Sequence, residues 1–162
     1  MSRVQLSLNV DDLDAAVAFY STLFGAAPAK HRPGYANFAL DDPPLKLCLM
    51  TGYGPPGTVN HLGVEVADAA QVDGAFERLS GAGIPHVGHR EVHCCYSRQA
   101  KVWLDDPSGQ RWEVYTVVED TDEACEVGFS ADVASVRLGA GRRPARRLRR
   151  LAGRARRRVS SR

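Results

Sequence analysis

The sequence lacks a membrane-spanning run: none of its apolar stretches approaches the ~18 residues that a bilayer crossing needs. The opening, Met1-Ser2-Arg3-Val4-Gln5-Leu6, lacks a basic start followed by an apolar stretch, so no export signal is recognised and a cytoplasmic location is expected. Cysteine is sparse: Cys48, Cys94, Cys95 and Cys125 are the four among 162 residues. In a reducing compartment they are expected as thiols rather than as a disulfide framework, and adjacent Cys94 and Cys95 do not bridge each other without strain. Acidic residues are missing altogether from 141–162, which hold 11 of the 21 basic residues, all Arg, for a charge of +11. Residues 1–140 carry all 19 acidic residues against 10 basic ones, for −9, so the overall +2 hides an acidic body with a separate basic tail. That tail has no aromatic residue and little apolar content (Leu148, Leu151, Val159), which excludes a strong membrane-binding face. It is expected to be solvated and disordered, with any nucleic-acid binding non-specific. Hydrophobic residues at 44% and charged residues at 25% fit one soluble domain, or two very small ones sharing a core.

What is present is an internal repeat. Val4–Val10 alternates as a strand does, and so does Asn60-His61-Leu62-Gly63-Val64-Glu65-Val66. Each precedes a helical pattern. In the first, Leu13, Ala16, Val17, Tyr20 and Phe24 share a face, Asp11 or Asp12 caps the start and Gly25 stops it. In the second, Val72, Ala75, Phe76 and Leu79 share a face, Asp68 caps, and Gly81 or Gly83 stops it. Three short strands are expected after each helix: 29–31, 35–40 and 45–50 in the first half, 86–92, 100–104 and 111–116 in the second. Leu40-Asp41-Asp42-Pro43 recurs as Leu104-Asp105-Asp106-Pro107, in both cases as the turn between the third and fourth strands. The expectation is an α+β fold of two βαβββ modules, 1–52 and 59–118, with an extension over 119–140 and the Arg-rich tail over 141–162.

A second local feature is Glu91-Val92-His93-Cys94-Cys95-Tyr96, ahead of Lys101-Val102-Trp103. A bland account makes the cysteines two small buried residues. Strand alternation opposes it, because neighbours on a regular strand point to opposite faces. A bend or loop would let both thiols converge on one soft atom, trivalent arsenic, cadmium or zinc among them. His93 and Lys101, if nearby, would favour the thiolates. Cys48, on an apolar strand, is expected in the core, and Cys125 is given no role.

Two βαβββ modules of this length resemble the vicinal-oxygen-chelate superfamily of glyoxalases, bleomycin-resistance proteins and extradiol dioxygenases, whose sheets form a metal-binding cup. The resemblance implies metal ligands on the first and last strands of each module. Gln5, His61 and Glu113 stand at three of those places, and the fourth falls near Leu47–Leu49, where no ligand is expected. An amide oxygen, an imidazole and a carboxylate suit a borderline-to-hard divalent ion and leave coordination positions open, as in the related two-His-one-carboxylate iron sites.

Within that superfamily several stretches resemble the ArsI/CadI family: the opening six residues, Pro33-Gly34-Tyr35-Ala36-Asn37-Phe38, Pro43-Pro44-Leu45-Lys46-Leu47, Asn60–Val66, Cys94-Cys95-Tyr96, Lys101-Val102-Trp103 and Arg111-Trp112-Glu113-Val114-Tyr115-Thr116. The resemblance implies a non-haem Fe(II) enzyme using O2 as cosubstrate to cleave the carbon–arsenic bond of trivalent organoarsenicals such as methylarsonous acid. It implies iron at Gln5, His61 and Glu113, arsenic on Cys94 and Cys95, and a monomer or homodimer. His93 stands where the family commonly has Thr and Ala100 where it has Asp, two departures that bear on substrate preference. Two rivals remain: a resistance protein that sequesters cadmium or arsenite without turnover, and a drug-binding cup without chemistry.

Overall fold

The structure, a computed structural model, describes residues 2–122. The expected extension beyond Asp122, Cys125 and the tail over 141–162 lie outside the described residues. The elements run β1 (Arg3–Asn9), α1 (Leu13–Phe24), β2 (Lys30–Arg32), β3 (Tyr35–Asp41), β4 (Pro44–Met50), then β5 (Val59–Glu65), α2 (Ala69–Gly81), β6 (His86–His93), β7 (Ser97–Asp105) and β8 (Arg111–Asp120). This is βαβββ twice, as the repeat implies.

The eight strands form one sheet in the order β2-β3-β4-β1-β5-β8-β7-β6. Within each half the first strand lies parallel to the last, β1 to β4 and β5 to β8, because the helix carries the chain back across. The halves join through antiparallel β1 and β5, so the first strands of both modules lie side by side at the centre.

Alternation explains the two faces. Leu47 and Leu49 of β4, with Ala36 and Phe38 of β3, pack under α1 against Leu13, Ala16, Val17, Tyr20 and Phe24, the expected helix stripe. Val102 of β7 packs with Val72 and Ala75 of α2. The intervening strand residues face the opposite side and line a cavity. Both helix starts are capped as expected: Asp12 accepts from the Ala15 amide and Asp68 from the Gln71 amide. Gly25 ends α1 in the left-handed conformation, with φ 63°.

Three details differ from the sequence expectation. Phe76 does not join the core under α2; it is exposed and meets the His86 ring edge-on at 4.5 Å between centroids. Strand β7 starts at Ser97 rather than Ala100, because reciprocal backbone bonds between Cys94 and Ser97 close a tight turn immediately before it. Strand β8 continues to Asp120, staying paired with Ser97 and Arg98 at its far end. Among the described residues no helix is long and apolar enough to cross a membrane.

Candidate metal and thiol site

One cavity of about 240 Å³ opens on the face of the sheet away from the helices, and many of its lining side chains are polar. Gln5, Ser7, His61, Lys101 and Glu113 all face it and are all nearly fully buried. Buried polar groups are costly unless paired, so the pairings define the site.

Register brings the three donors together. Gln5 pairs with Gly63 across β1–β5, and Gly63 pairs with Glu113 across β5–β8. His61, two residues earlier on β5, faces the same side opposite Ser7. A Cβ on Gly63 would lie 3.0 Å from Glu113 Cγ and 3.2 Å from Gln5 Cβ, so the missing side chain is what lets these two residues flank the strand.

The donor atoms nearly touch. Gln5 Nε2 lies 2.7 Å from Glu113 Oε1 and 2.9 Å from His61 Nε2, and His61 Nε2 lies 3.3 Å from Glu113 Oε1. Adjacent ligands about 2.1 Å from one ion are separated by about 3 Å, so these edges match one face of a coordination polyhedron. Among the described residues no three His, Cys, Asp or Glu side chains gather in a way that holds a metal ion; a metal held here would need the Gln5 amide as its third ligand. Its nitrogen now points inward, donating to Glu113; half a turn of the amide puts the carbonyl oxygen in that place.

The imidazole is held from behind. His61 Nδ1 donates to Asn60 Oδ1 at 2.7 Å, Asn60 Nδ2 donates to Asn9 Oδ1 at 3.0 Å, and Asn9 Nδ2 donates to Thr58 Oγ1 at 2.9 Å. This chain places the proton on Nδ1 and turns the Nε2 lone pair into the cavity, the arrangement a metal-ligating histidine uses. Ser7 Oγ lies 2.9 Å from that nitrogen.

Glu113 is an ionised carboxylate. Burial opposes its charge, but the Lys101 ammonium more than offsets burial and holds its pKa well below the usual carboxylate range. Lys101 Nζ donates to Glu113 Oε2 at 2.8 Å. Burial works against the ammonium too, and the Glu113 carboxylate outweighs it, with smaller contributions from Cys94 and Cys95. Lys101 thus feels both the carboxylate and the cysteine pair.

The cysteine pair sits on the β6–β7 turn, and its geometry answers the alternation problem. Cys95 and Tyr96 are both left-handed, with φ 54° and 59°. For residues other than glycine that conformation costs about 1 kcal/mol or more, and such strain gathers at functional sites. It rotates the backbone so that the two sulfurs, which an extended strand would point apart, lie 3.5 Å from each other on the same cavity. The turn is anchored in module one: Tyr96 OH donates to the Pro33 carbonyl, and Lys30 Nζ donates to the Tyr96 carbonyl at 2.8 Å.

Three features escape sequence reasoning. Glu113 and Lys101 meet as diagonal cross-strand neighbours, visible only once Lys101 is in register with Tyr115. Cys48 is buried as expected but lines the cavity instead of the helix-facing core. It also occupies the place where no ligand was expected, since Ser7 pairs with Cys48 as Gly63 pairs with Glu113. The alternation Lys46-Leu47-Cys48-Leu49-Met50 held the signal. The Tyr115 hydroxyl and Gln99 Oε1, buried in the cavity wall, have no hydrogen-bond partner within the described protein.

Residues 3–114 match the family described as Glyoxalase/Bleomycin resistance protein/Dioxygenase superfamily. The chain is 56% identical over 122 residues to the cadmium-induced protein CadI of Mycobacterium tuberculosis, covering 75% of this chain and 80% of that one. It is 53% identical over 132 residues to a trivalent organoarsenical cleaving enzyme of Thermomonospora curvata, covering 81% and 87%. Among solved structures, the Mn(II)-bound glyoxalase of Novosphingobium aromaticivorans shares the fold at a TM-score of 0.53 and 19% identity, over 80% of this chain and 44% of that one.

Proposed function

The chain belongs to the glyoxalase/bleomycin resistance protein/dioxygenase superfamily and, within it, to the ArsI/CadI family, and on that basis we propose that it is an Fe(II)- and O2-dependent carbon–arsenic lyase. Its substrates are trivalent organoarsenicals such as methylarsonous acid, and arsenite is the inorganic product. The observation that carries this reading is a pair of sulfurs 3.5 Å apart facing the same small cavity as three convergent metal donors.

Gln5, His61 and Glu113 would hold the ion. Ferrous iron, when bound, supplies the activation of dioxygen that oxidation of a carbon–arsenic bond requires. The remaining work belongs to the chain. Cys94 and Cys95 replace the two hydroxyls of the organoarsenical, forming two As–S bonds and releasing two waters. A bidentate grip fixes the arsenic, and so the attached carbon, relative to the metal donors. Asn60 holds the His61 tautomer and Lys101 holds the Glu113 carboxylate, so both donors are oriented before anything binds. Nearly complete burial of the donors keeps bulk water away from them.

The alternative is a resistance protein that sequesters thiophilic ions without turnover; the 56% identity to proteins named cadmium-induced favours keeping it. Iron-loaded protein incubated with methylarsonous acid in air separates the two. Arsenite above the no-enzyme control is expected. Cys94→Ser and Cys95→Ser should each raise the apparent substrate constant ~100-fold or more while iron stays bound, since loss of one As–S bond forfeits the chelate. No arsenite, together with stoichiometric cadmium binding, would turn the assignment to sequestration.

A further inference from the structure

Cys48 enters neither the donor set nor the cysteine pair, yet it faces both. It comes from module one, on the floor of the cavity, while Cys94 and Cys95 come from module two on a turn that reaches across. Where that turn touches down, Cys95 and Tyr96 pack against a cluster of Tyr35, Cys48 and Met50. All three thiols line the same cavity. The Cys48 sulfur meets the Tyr35 hydroxyl at 3.5 Å and the Ser7 side chain, both neutral hydroxyl groups. A simple core thiol would lie on the helix side with Leu47 and Leu49.

We infer that Cys48, Cys94 and Cys95 form a three-sulfur site that takes inorganic trivalent arsenic in preference to its organic forms. This rests on the reading that Cys94 and Cys95 bind arsenic. The chemistry distinguishes the two ligands by valence. A monosubstituted arsenical has two exchangeable oxygens and is satisfied by two thiols. Arsenite has three, and three thiols convert As(OH)3 to As(SR)3 with release of three waters and no change in oxidation state. Each exchange consumes an S–H and an As–OH and creates no net charge, so it suits a thiol that burial keeps protonated. Among the described residues the three thiols are not gathered as a preformed ion site; joining the set requires Cys48 to leave the Tyr35 hydroxyl. The organic ligand is thus held by two sulfurs and the inorganic product by three, and the cavity retains the product until a competing thiol removes it.

The test uses the full-length protein, arsenite and phenylarsine oxide, with affinity from arsenic retained after gel filtration and coordination from arsenic X-ray absorption. In the wild type, arsenite should show three As–S bonds and no As–O bond. In Cys48→Ala and Cys48→Val it should show two As–S and one As–O, with affinity lowered ~100-fold, because the third bond forms at high effective concentration. Phenylarsine oxide should bind within about twofold of wild type in both variants, which also shows that they fold. Cys125→Ser should change neither ligand. Two sulfurs on arsenite in the wild type, unchanged arsenite affinity in the Cys48 variants, equal losses for both ligands, or loss of the third sulfur in Cys125→Ser would each overturn the inference. Failure of phenylarsine oxide to bind the wild type would instead overturn the parent reading of Cys94 and Cys95.

Discussion

The three candidate donors differ in what they lose when cut away. Glu113 supplies the only negative charge among them and is held ionised by Lys101, so a divalent ion entering the site displaces no proton from it. His61 arrives with its tautomer set by Asn60, Asn9 and Thr58, so its lone pair is ready. Gln5 offers a neutral amide oxygen and must first turn its amide and surrender the bond to Glu113. His61→Ala and Glu113→Ala are therefore expected to abolish stoichiometric Fe(II) binding, a loss of ~100-fold or more, whereas Gln5→Ala should weaken it about tenfold. Glu113→Ala carries a second cost, since it strands the Lys101 ammonium, which is buried against Trp103 and Tyr115. Removing one partner of a buried pair typically destabilises by about 3–5 kcal/mol, so the thermal midpoint must be recorded beside the calorimetric titration. A folded Glu113→Ala protein with wild-type iron affinity would remove Glu113 from the site.

At the scale of strands, the site is a product of register and of one missing side chain. Gly63 lies between Gln5 and Glu113 in three adjacent strands, and a methyl group there meets both. Gly63→Ala leaves every donor in place, so it tests positioning without deleting chemistry. Expected are a destabilisation of about 1–3 kcal/mol from overpacking and a loss of roughly tenfold in metal affinity, read by thermal melts and calorimetry; unchanged metal affinity would mean that the strands shift freely. The strands also explain what was legible in the sequence. Period-2 alternation and the repeated Leu-Asp-Asp-Pro turn placed the elements, and the resemblance placed Gln5, His61 and Glu113 on matching strands, which the structure brings together. The convergence of Cys94 and Cys95 was legible only as a condition, because it depends on two left-handed residues with no glycine to announce them. The Lys101–Glu113 pair was hidden because a diagonal contact needs the β7–β8 register, which no local pattern specifies. Cys48 was read from its apolar neighbours, when its position in the alternation was the stronger signal.

The whole chain divides its charge unevenly: −9 over residues 1–140 and +11 over residues 141–162. Every candidate donor and thiol with an assigned role lies between Gln5 and Glu113, and the strand carrying Glu113 ends at Asp120. Contacts near the cavity lie within the body, Lys30 to Asp120 and Tyr96 to Pro33 among them. The chemistry and the basic segment are thus expected to be separable. Deleting residues 141–162 should leave iron affinity and organoarsenical turnover within about twofold of the full chain. It should also remove binding to heparin or DNA. For the full chain that binding should fall steeply with salt, because each phosphate neutralised by an arginine releases a counterion, with a slope of about −0.9 per contact on duplex DNA. Eleven arginines without an interleaved aromatic residue provide charge but no stacking, so the binding should not depend on base sequence. Turnover and heparin retention measured side by side on both chain lengths decide the matter: a large loss of turnover in the shortened chain would mean that the basic segment contributes to the body, and retained heparin binding would locate the anion-binding surface elsewhere.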